Sequence, residues 1–171
     1  MSDKRILSSA VMAAAVCLGP LAARPASAAD APPDPRAVIA ASQAIAPGGV
    51  HELKMVELGG VKQWISVRGN DPANPILLFI HGGPGSPMMP ESWTFQRPWE
   101  DFFTVVQWDQ RGAGKSYAAE GAAEVPLSAD LIQADAEELI ALLRRDYHQD
   151  KIFVMGHSWG SIIGLRIARD R

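Results

Sequence analysis

The sequence GHSWG at positions 156–160 places Ser158 between two glycines, in the pattern Gly-x-Ser-x-Gly. An apolar run precedes the pattern, and apolar residues at helical spacing follow it. A sharp turn from a buried strand into a helix projects a serine hydroxyl above the sheet, where the helix N-terminus favours an anion. The pattern therefore predicts that Ser158 is the nucleophile of an acyl transfer. The alternative is a serine that merely caps the helix in an ordinary turn.

A second glycine-rich stretch, HGGPG at 81–85, follows another apolar run. Acyl transfer needs fixed donors that stabilise an oxyanion, and losing one donor costs about 10²–10³-fold in rate. One donor is the N–H of the residue after the nucleophile, here Trp159, and the other comes from a loop after an earlier strand. We assign the second donor to Gly83, because a residue without Cβ lets an acyl group approach closely. The residues expected to structure this loop are His81, Gly82 and Gly85. We assign His81 to bracing the loop, since the base in this arrangement follows the nucleophile in sequence.

A third polar cluster, WDQRGAGKS at 108–116, follows a third apolar run. Its Gly-Lys-Ser ending hints at a phosphate-binding loop, but that motif needs a glycine five positions before Gly114. That position is occupied by Asp109, so the match fails. We therefore expect Lys115 to lie in a solvated loop. We expect Asp109 and Arg111 to stabilise the turn through charge-assisted hydrogen bonds.

The three clusters each terminate a short apolar run without alternation, at 76–80, 103–108 and 151–155. Such runs suit strands that are buried on both faces, as in a parallel sheet. Helical spacing after the second run predicts a crossover helix with Ser128 as its N-cap. Two alternating runs around Gly59-Gly60 predict a β-hairpin before these strands. The predicted fold class is α/β, with the clusters meeting at the carboxyl edge of the sheet.

The first residues have the layout of a secretory signal peptide: a basic start, an apolar stretch and small residues before Ala29. The apolar stretch is short and is broken by Gly19-Pro20, which disfavours the alternative of a membrane-spanning anchor. We divide the chain into a signal peptide at 1–28, a proline-rich linker at 29–49 that includes a short helix at 38–45, and a domain at 50–171. The expected location is outside the cytoplasm, periplasmic or secreted.

Charge, cysteine and histidine exclude several functions. The formal net charge of −3 argues against a nucleic-acid partner. The single cysteine, Cys17, lies in the signal peptide, so the exported domain has no disulfide and no thiolate metal site. His51 and His148 have no partners at metal-ligand spacing, so we expect no metal and no cofactor. The expected partner is a small peptide or ester substrate, without stable membrane insertion after signal cleavage, and the sequence predicts no oligomeric state.

Together, HGGPG, WDQRGAGKS and GHSWGS resemble the proline iminopeptidase (prolyl aminopeptidase) family of α/β-hydrolases. The resemblance extends over roughly residues 51–170. It implies the α/β-hydrolase fold and hydrolysis of an N-terminal residue, preferably proline, from a peptide. Carried over by position, it implies that Ser158 is the nucleophile and that Gly83 and Trp159 donate to the oxyanion.

The resemblance also implies an aspartate and then a histidine well after the serine. Thirteen residues follow Ser158, and they include Asp170 but no histidine. We therefore expect the chain to be the N-terminal half of the fold, truncated after the nucleophile turn, without the cap and inactive alone. A hydroxyl without its base is a poor nucleophile near neutral pH.

Of three alternatives to the peptidase, the first and the third remain open. The same fold carries esterases, amidases and lactonases, because function depends on the site and not on the fold. A dehalogenase or epoxide hydrolase would normally have aspartate at the position of Ser158, which disfavours those activities. The third alternative is a non-catalytic interaction protein built on half of a hydrolase sheet.

Overall fold

The computed structural model describes residues 32–120 and 127–170, so the predicted signal peptide at 1–28 lies outside the described residues. The elements, in chain order, are α1 (Pro35–Ser42), β1 (Val50–Leu58), β2 (Val61–Gly69), β3 (Ile76–Ile80), two 3₁₀ helices (Met89–Thr94 and Arg97–Asp101), β4 (Thr104–Asp109), α2 (Gly114–Glu120), α3 (Ala129–Asp146), β5 (Phe153–Gly156) and α4 (Trp159–Arg169). Strands and helices alternate after the first two strands, which confirms the α/β class.

The strands form one five-stranded sheet in the order β1-β2-β4-β3-β5. Strands β1 and β2 are the predicted hairpin, and their turn residues Gly59 and Gly60 have φ of +56° and +74°, as a type I′ turn requires. Strand β3 pairs in parallel with β4 on one side and β5 on the other. The carboxyl ends of all three therefore lie at one edge, as expected.

The two faces of the sheet have different chemistry, because successive side chains of a strand point to opposite sides. One face packs on α3 and α4 through an apolar core that includes Ile65, Leu78, Val106, Leu139 and Ile163. The other face carries a buried polar network. There Arg68 Nε donates to Glu100 Oε1 at 2.9 Å, Gln96 Nε2 donates to the same oxygen at 2.8 Å, and Gln107 Nε2 donates to Gln96 Oε1 at 2.9 Å.

The structure differs from the sequence expectations in three places. Helix α2 replaces the solvated loop that was expected around Lys115, so that prediction is wrong. The helix is anchored because Asp109 Oδ2 accepts the N–H of Lys115 at 2.8 Å, and Ser116 Oγ accepts the N–H of Trp64 at 2.8 Å. Helix α1 begins at Pro35, earlier than expected, with Asp34 as its N-cap. Strands β4 and β5 begin one and two residues later than the apolar runs suggest.

Strand β5 is the last strand at its end of the sheet formed by the described residues. Its apolar side chains are open to solvent: Phe153 is 57% exposed, Val154 37% and Met155 42%. An apolar strand at a sheet edge is a template for pairing with another chain. Within the described residues, no helix combines the length and the apolar character needed to cross a bilayer.

Candidate active site

Ser158 occupies the turn between β5 and α4 and is exposed at the carboxyl edge of the sheet. Its backbone has φ +53° and ψ −120°, a conformation that residues with a Cβ rarely adopt. Such a conformation costs about 1–3 kcal/mol and persists only where the surrounding structure enforces it. The serine precedes the helix, but its side chain makes no capping hydrogen bond. The geometry therefore favours a nucleophile over a helix cap.

The two glycines of the pattern are required by close backbone contacts. A Cβ on Gly156 would lie 2.6 Å from Ser161 Cα and against the carbonyl of Gly160. A Cβ on Gly160 would lie 2.7 Å from the carbonyl oxygen of His81 and against that of Ile80. Glycine at these positions lets α4 pass directly over the ends of β3 and β5, which fixes the direction of the Ser158 hydroxyl.

The loop after β3 lies against the serine. A Cβ on Gly82 would be 2.9 Å from Ser158 Cβ and 3.0 Å from the carbonyl oxygen of His157, so Gly82 is a loop glycine that lies against Ser158. Gly83 has φ +118°, and a Cβ there would lie 2.6 Å from the N atoms of Gly85 and Ser86. The tight turn of the loop therefore itself requires glycine at position 83, which is a reason additional to the expected approach of an acyl group.

Trp159 is the first residue of α4, so its backbone N–H has no acceptor within the helix. The next two N–H groups, of Gly160 and Ser161, donate to the carbonyls of His157 and Ser158 at 2.8 and 2.9 Å. The N–H of Trp159 and the positive end of α4 are therefore free to face a developing anion at Ser158. This is the arrangement expected of an oxyanion donor.

His81 is buried and bridges two loops. Its Nδ1 lies 2.8 Å from the carbonyl oxygen of Gly82, and its Nε2 lies 3.4 Å from the N–H of Gln110. A neutral ring that donates from Nδ1 and accepts at Nε2 satisfies both contacts. Burial lowers the pKa of His81 below its usual value, although the Gly82 hydrogen bond and the Asp109 carboxyl oppose this. The geometry thus favours the bracing role over that of a base.

The turn after β4 is held by three residues with different partners. Gln110 is fully buried, and its Nε2 donates to the carbonyl oxygen of His81 at 3.3 Å. Burial raises the pKa of Asp109, while its hydrogen bond from the Lys115 N–H opposes the change. Arg111 reaches out of the turn to α3, where its Nε and Nη2 contact the two oxygens of Asp135 at 2.5 and 2.6 Å.

Asp135 and Gln110 were not predicted as site residues. Asp135 extends the network, because it accepts from Gln63 Nε2 at 2.8 Å, and Gln63 Oε1 accepts from Trp108 Nε1 at 2.9 Å. A single acid beside Ala136 on the apolar stripe of a predicted helix is the signal that could have identified Asp135. Gln110 gave no such signal, because its contacts are with residues distant in sequence.

Two of the three remaining histidines, His157 and His51, have side-chain contacts with neighbouring strand residues. The ring of His157 stacks on Phe79, with centroids 6.4 Å apart and an interplanar angle of 19°. His51 Nε2 lies 2.8 Å from Arg68 Nη1. In the part of the chain that the structure describes, no cluster of three or more acidic, histidine or cysteine side chains suits a metal ion.

The chain is similar to several known hydrolases. The profile of the α/β-hydrolase fold family matches residues 75–171. A probable aminopeptidase of Bacillus subtilis (strain 168) is 36% identical over 119 residues, which are 70% of this chain and 37% of the relative. The proline iminopeptidase of Neisseria gonorrhoeae is 39% identical over 101 residues, which are 59% of this chain and 30% of the relative. The chain thus spans about a third of the length of these relatives.

Solved structures share the same architecture. A proline iminopeptidase-related protein from Thermus thermophilus has a TM-score of 0.56 and 25% sequence identity, and the match covers 70% of this chain and 40% of that protein. Epoxide hydrolases are also among the similar structures. The similarity therefore extends to hydrolases that act on different bonds.

Proposed function

This chain belongs to the α/β-hydrolase fold family, and we propose that it supplies the nucleophile and the oxyanion donors of a serine hydrolase. The observation that carries the proposal is the exposed Ser158, held at φ +53° with no capping hydrogen bond, at the end of β5. A strained, exposed serine at a strand-to-helix turn is the arrangement that a nucleophile needs.

In the proposed reaction the Ser158 hydroxyl attacks a carbonyl carbon, and the carbonyl oxygen becomes an oxyanion. The N–H groups of Trp159 and Gly83 donate to that oxygen, and the tetrahedral intermediate collapses to an acyl-enzyme when the leaving group departs. Water then hydrolyses the acyl-enzyme. The base that accepts the hydroxyl proton is not His81, because both of its ring nitrogens contact backbone atoms of the two loops. The proposal assigns the base and its carboxylate partner to residues of the whole protein outside 1–171, and the chain alone is expected to be inactive.

We assign the substrate class to peptides with a free N-terminus, preferably an N-terminal proline. The support is the similarity to a probable aminopeptidase and to a proline iminopeptidase. Among the described residues, we assign no group to binding the free amine of such a peptide. An esterase, amidase or lactonase of the same fold is therefore the second candidate. Epoxide hydrolases are similar in fold, but serine rather than aspartate at position 158 favours acyl chemistry.

Covalent labelling by a fluorophosphonate tests the nucleophile. In the whole protein we expect one labelled residue, Ser158, and loss of labelling in Ser158→Ala. Ser92→Ala, a serine in the first 3₁₀ helix, is the matched control and should still label. Labelling that persists in Ser158→Ala would refute the assignment.

The substrate class is tested separately. Cleavage of proline arylamide should exceed cleavage of an N-acetylated proline arylamide, because only the first has a free amine. Equal rates on both, or turnover of esters alone, would favour the esterase alternative.

We also propose that the protein is exported and that its signal peptide is cleaved after residue 28. The mass of the mature protein tests this cleavage site.

A further inference from the structure

A cavity of about 470 Å³ lies beside the nucleophile, on the α3 side of the glycine loop. Its lining residues include Pro84, Gln110, Leu127, Ala129, Ile132 and Trp159. Trp159 follows Ser158 directly, and Pro84 belongs to the loop that touches the serine. The cavity therefore begins within one residue of the reacting centre, although no part of the proposed acyl transfer uses it.

Two polar atoms, each belonging to a residue that lines the cavity, are buried without a partner among the described residues. They are the carboxamide oxygen of Gln110, which is an acceptor, and the indole N–H of Trp159, which is a donor. A buried polar atom that lacks a partner costs about 1–3 kcal/mol, so it is rarely retained without a reason. Gln110 is 1% exposed, and its Nε2 is held by the carbonyl of His81, which fixes the direction of the free oxygen.

Arg111 also lines the cavity, but its guanidinium already donates to both oxygens of Asp135. The unpartnered donor of Trp159 and the unpartnered acceptor of Gln110 then select the chemistry of the occupant. A carboxylate would leave the Gln110 oxygen without a donor, and an ammonium group would leave the Trp159 N–H without an acceptor. A secondary amide carries both complementary groups, and its flanking carbons suit the walls formed by Leu127, Ala129 and Ile132. A bridging water would also satisfy both atoms, and the experiment below distinguishes it.

We propose that this cavity is a subsite for a secondary amide, the first peptide group beyond the scissile bond of a peptide substrate. The position of the amide rests on the proposed function: an aminopeptidase holds a free amine on the acyl side, so another peptide group can only lie on the leaving side. The subsite makes peptides of three or more residues better ligands than dipeptides.

The experiment uses the whole 171-residue chain and does not require catalysis. Alanine N-methylamide, which mimics the leaving peptide, is titrated while the indole N–H resonances of the five tryptophans are recorded by NMR. The Trp159 resonance, assigned by its loss in Trp159→Phe, should move. The Trp108 resonance should stay, because its Nε1 already donates to Gln63. Alanine N,N-dimethylamide, which lacks the amide N–H, should bind about tenfold more weakly or worse, as expected for one lost hydrogen bond.

Saturation-transfer NMR on the same probe completes the test. Trp159→Phe should weaken binding by about tenfold, whereas Trp93→Phe, the same change in a different cavity, should leave binding unchanged. An unshifted Trp159 resonance, or equal binding of the two amides, overturns the proposal and leaves a cavity that holds water only. If Ser158 of the whole protein still labels with a fluorophosphonate in that case, the subsite fails while the proposed function stands.

Discussion

The buried ion pair between Arg111 and Asp135 should be a main support of the site. Both side chains are almost completely buried, with 4% and 1% of their surface exposed, and two hydrogen bonds of 2.5 and 2.6 Å join them. Asp135→Ala leaves the guanidinium buried without this partner, which typically costs about 3–5 kcal/mol. It also removes an acceptor from Gln63. A domain is stable by only about 5–15 kcal/mol, so this cost would be a large fraction of the folding free energy.

Urea unfolding followed by tryptophan fluorescence measures this effect. With a slope of about 1–3 kcal/mol/M, we expect the midpoint to fall by at least about 1 M. Asp146→Ala is the matched control at the end of the same helix, because its pair with Arg145 is exposed and worth about 0–1 kcal/mol. If both variants lose the same small amount, the ion pair does not support the fold.

A double variant separates the buried charge from the lost contact. Replacing both partners by apolar residues, Arg111→Met with Asp135→Leu, removes both buried charges together with the contact between them. Such replacements are often neutral or stabilising, so the double variant should be more stable than Asp135→Ala alone. A double variant that is less stable than the single one would refute the reasoning, and would assign the cost to the shape of the network.

Three further predictions concern the residues around the nucleophile. Gly160→Ala should destabilise the chain by at least about 1–3 kcal/mol in the same urea titration, because its Cβ would lie against the carbonyls of Ile80 and His81. Gly164→Ala is the control on the same helix. It should be neutral or stabilising, because a Cβ there would have nothing within 4 Å. Ser158→Gly should be more stable than Ser158→Ala, since only glycine relieves the positive φ, and equal midpoints would argue against strain. Burial holds the pKa of His81 below its usual 6.5, so near that pH the unfolded chain binds more protons than the folded chain. The free energy of unfolding should therefore fall as pH drops through 6.5. His81→Gln should reduce the slope of the unfolding free energy against pH, and an unchanged slope would assign it to another group.

The sheet and its site edge follow from local patterns. Two alternating runs around Gly59-Gly60 specify a hairpin because side chains of a strand alternate between faces, and the observed β1 and β2 have this form. The run at 76–80 is β3 without a change of boundary, since every residue of it is buried. Ser128 caps α3 as expected, with its hydroxyl accepting the Leu131 N–H at 3.2 Å.

Other features depend on contacts that no local pattern contains. Helix α2 is anchored by Asp109 and by Trp64 on a different strand. Because these contacts lie outside its seven residues, the local sequence alone predicts a loop there. The network of Arg68 and Glu100 joins residues 32 positions apart, and each taken alone resembles a solvated charge. Arg111 forms an ion pair with Asp135 on α3, a contact that the sequence of the turn alone does not predict.

The end of β3 holds Ser158 and the glycine loop in register. The carbonyl of Ile80 accepts the N–H of His157 at 3.0 Å, which fixes the residue before Ser158. The next residue, His81, braces the loop through its ring, and Gly82 then packs against Ser158. Three consecutive residues therefore set the distance between Ser158 and the glycine loop. Because these contacts lie on the β3 side of β5, the exposed outer edge of β5 does not determine the geometry of the site.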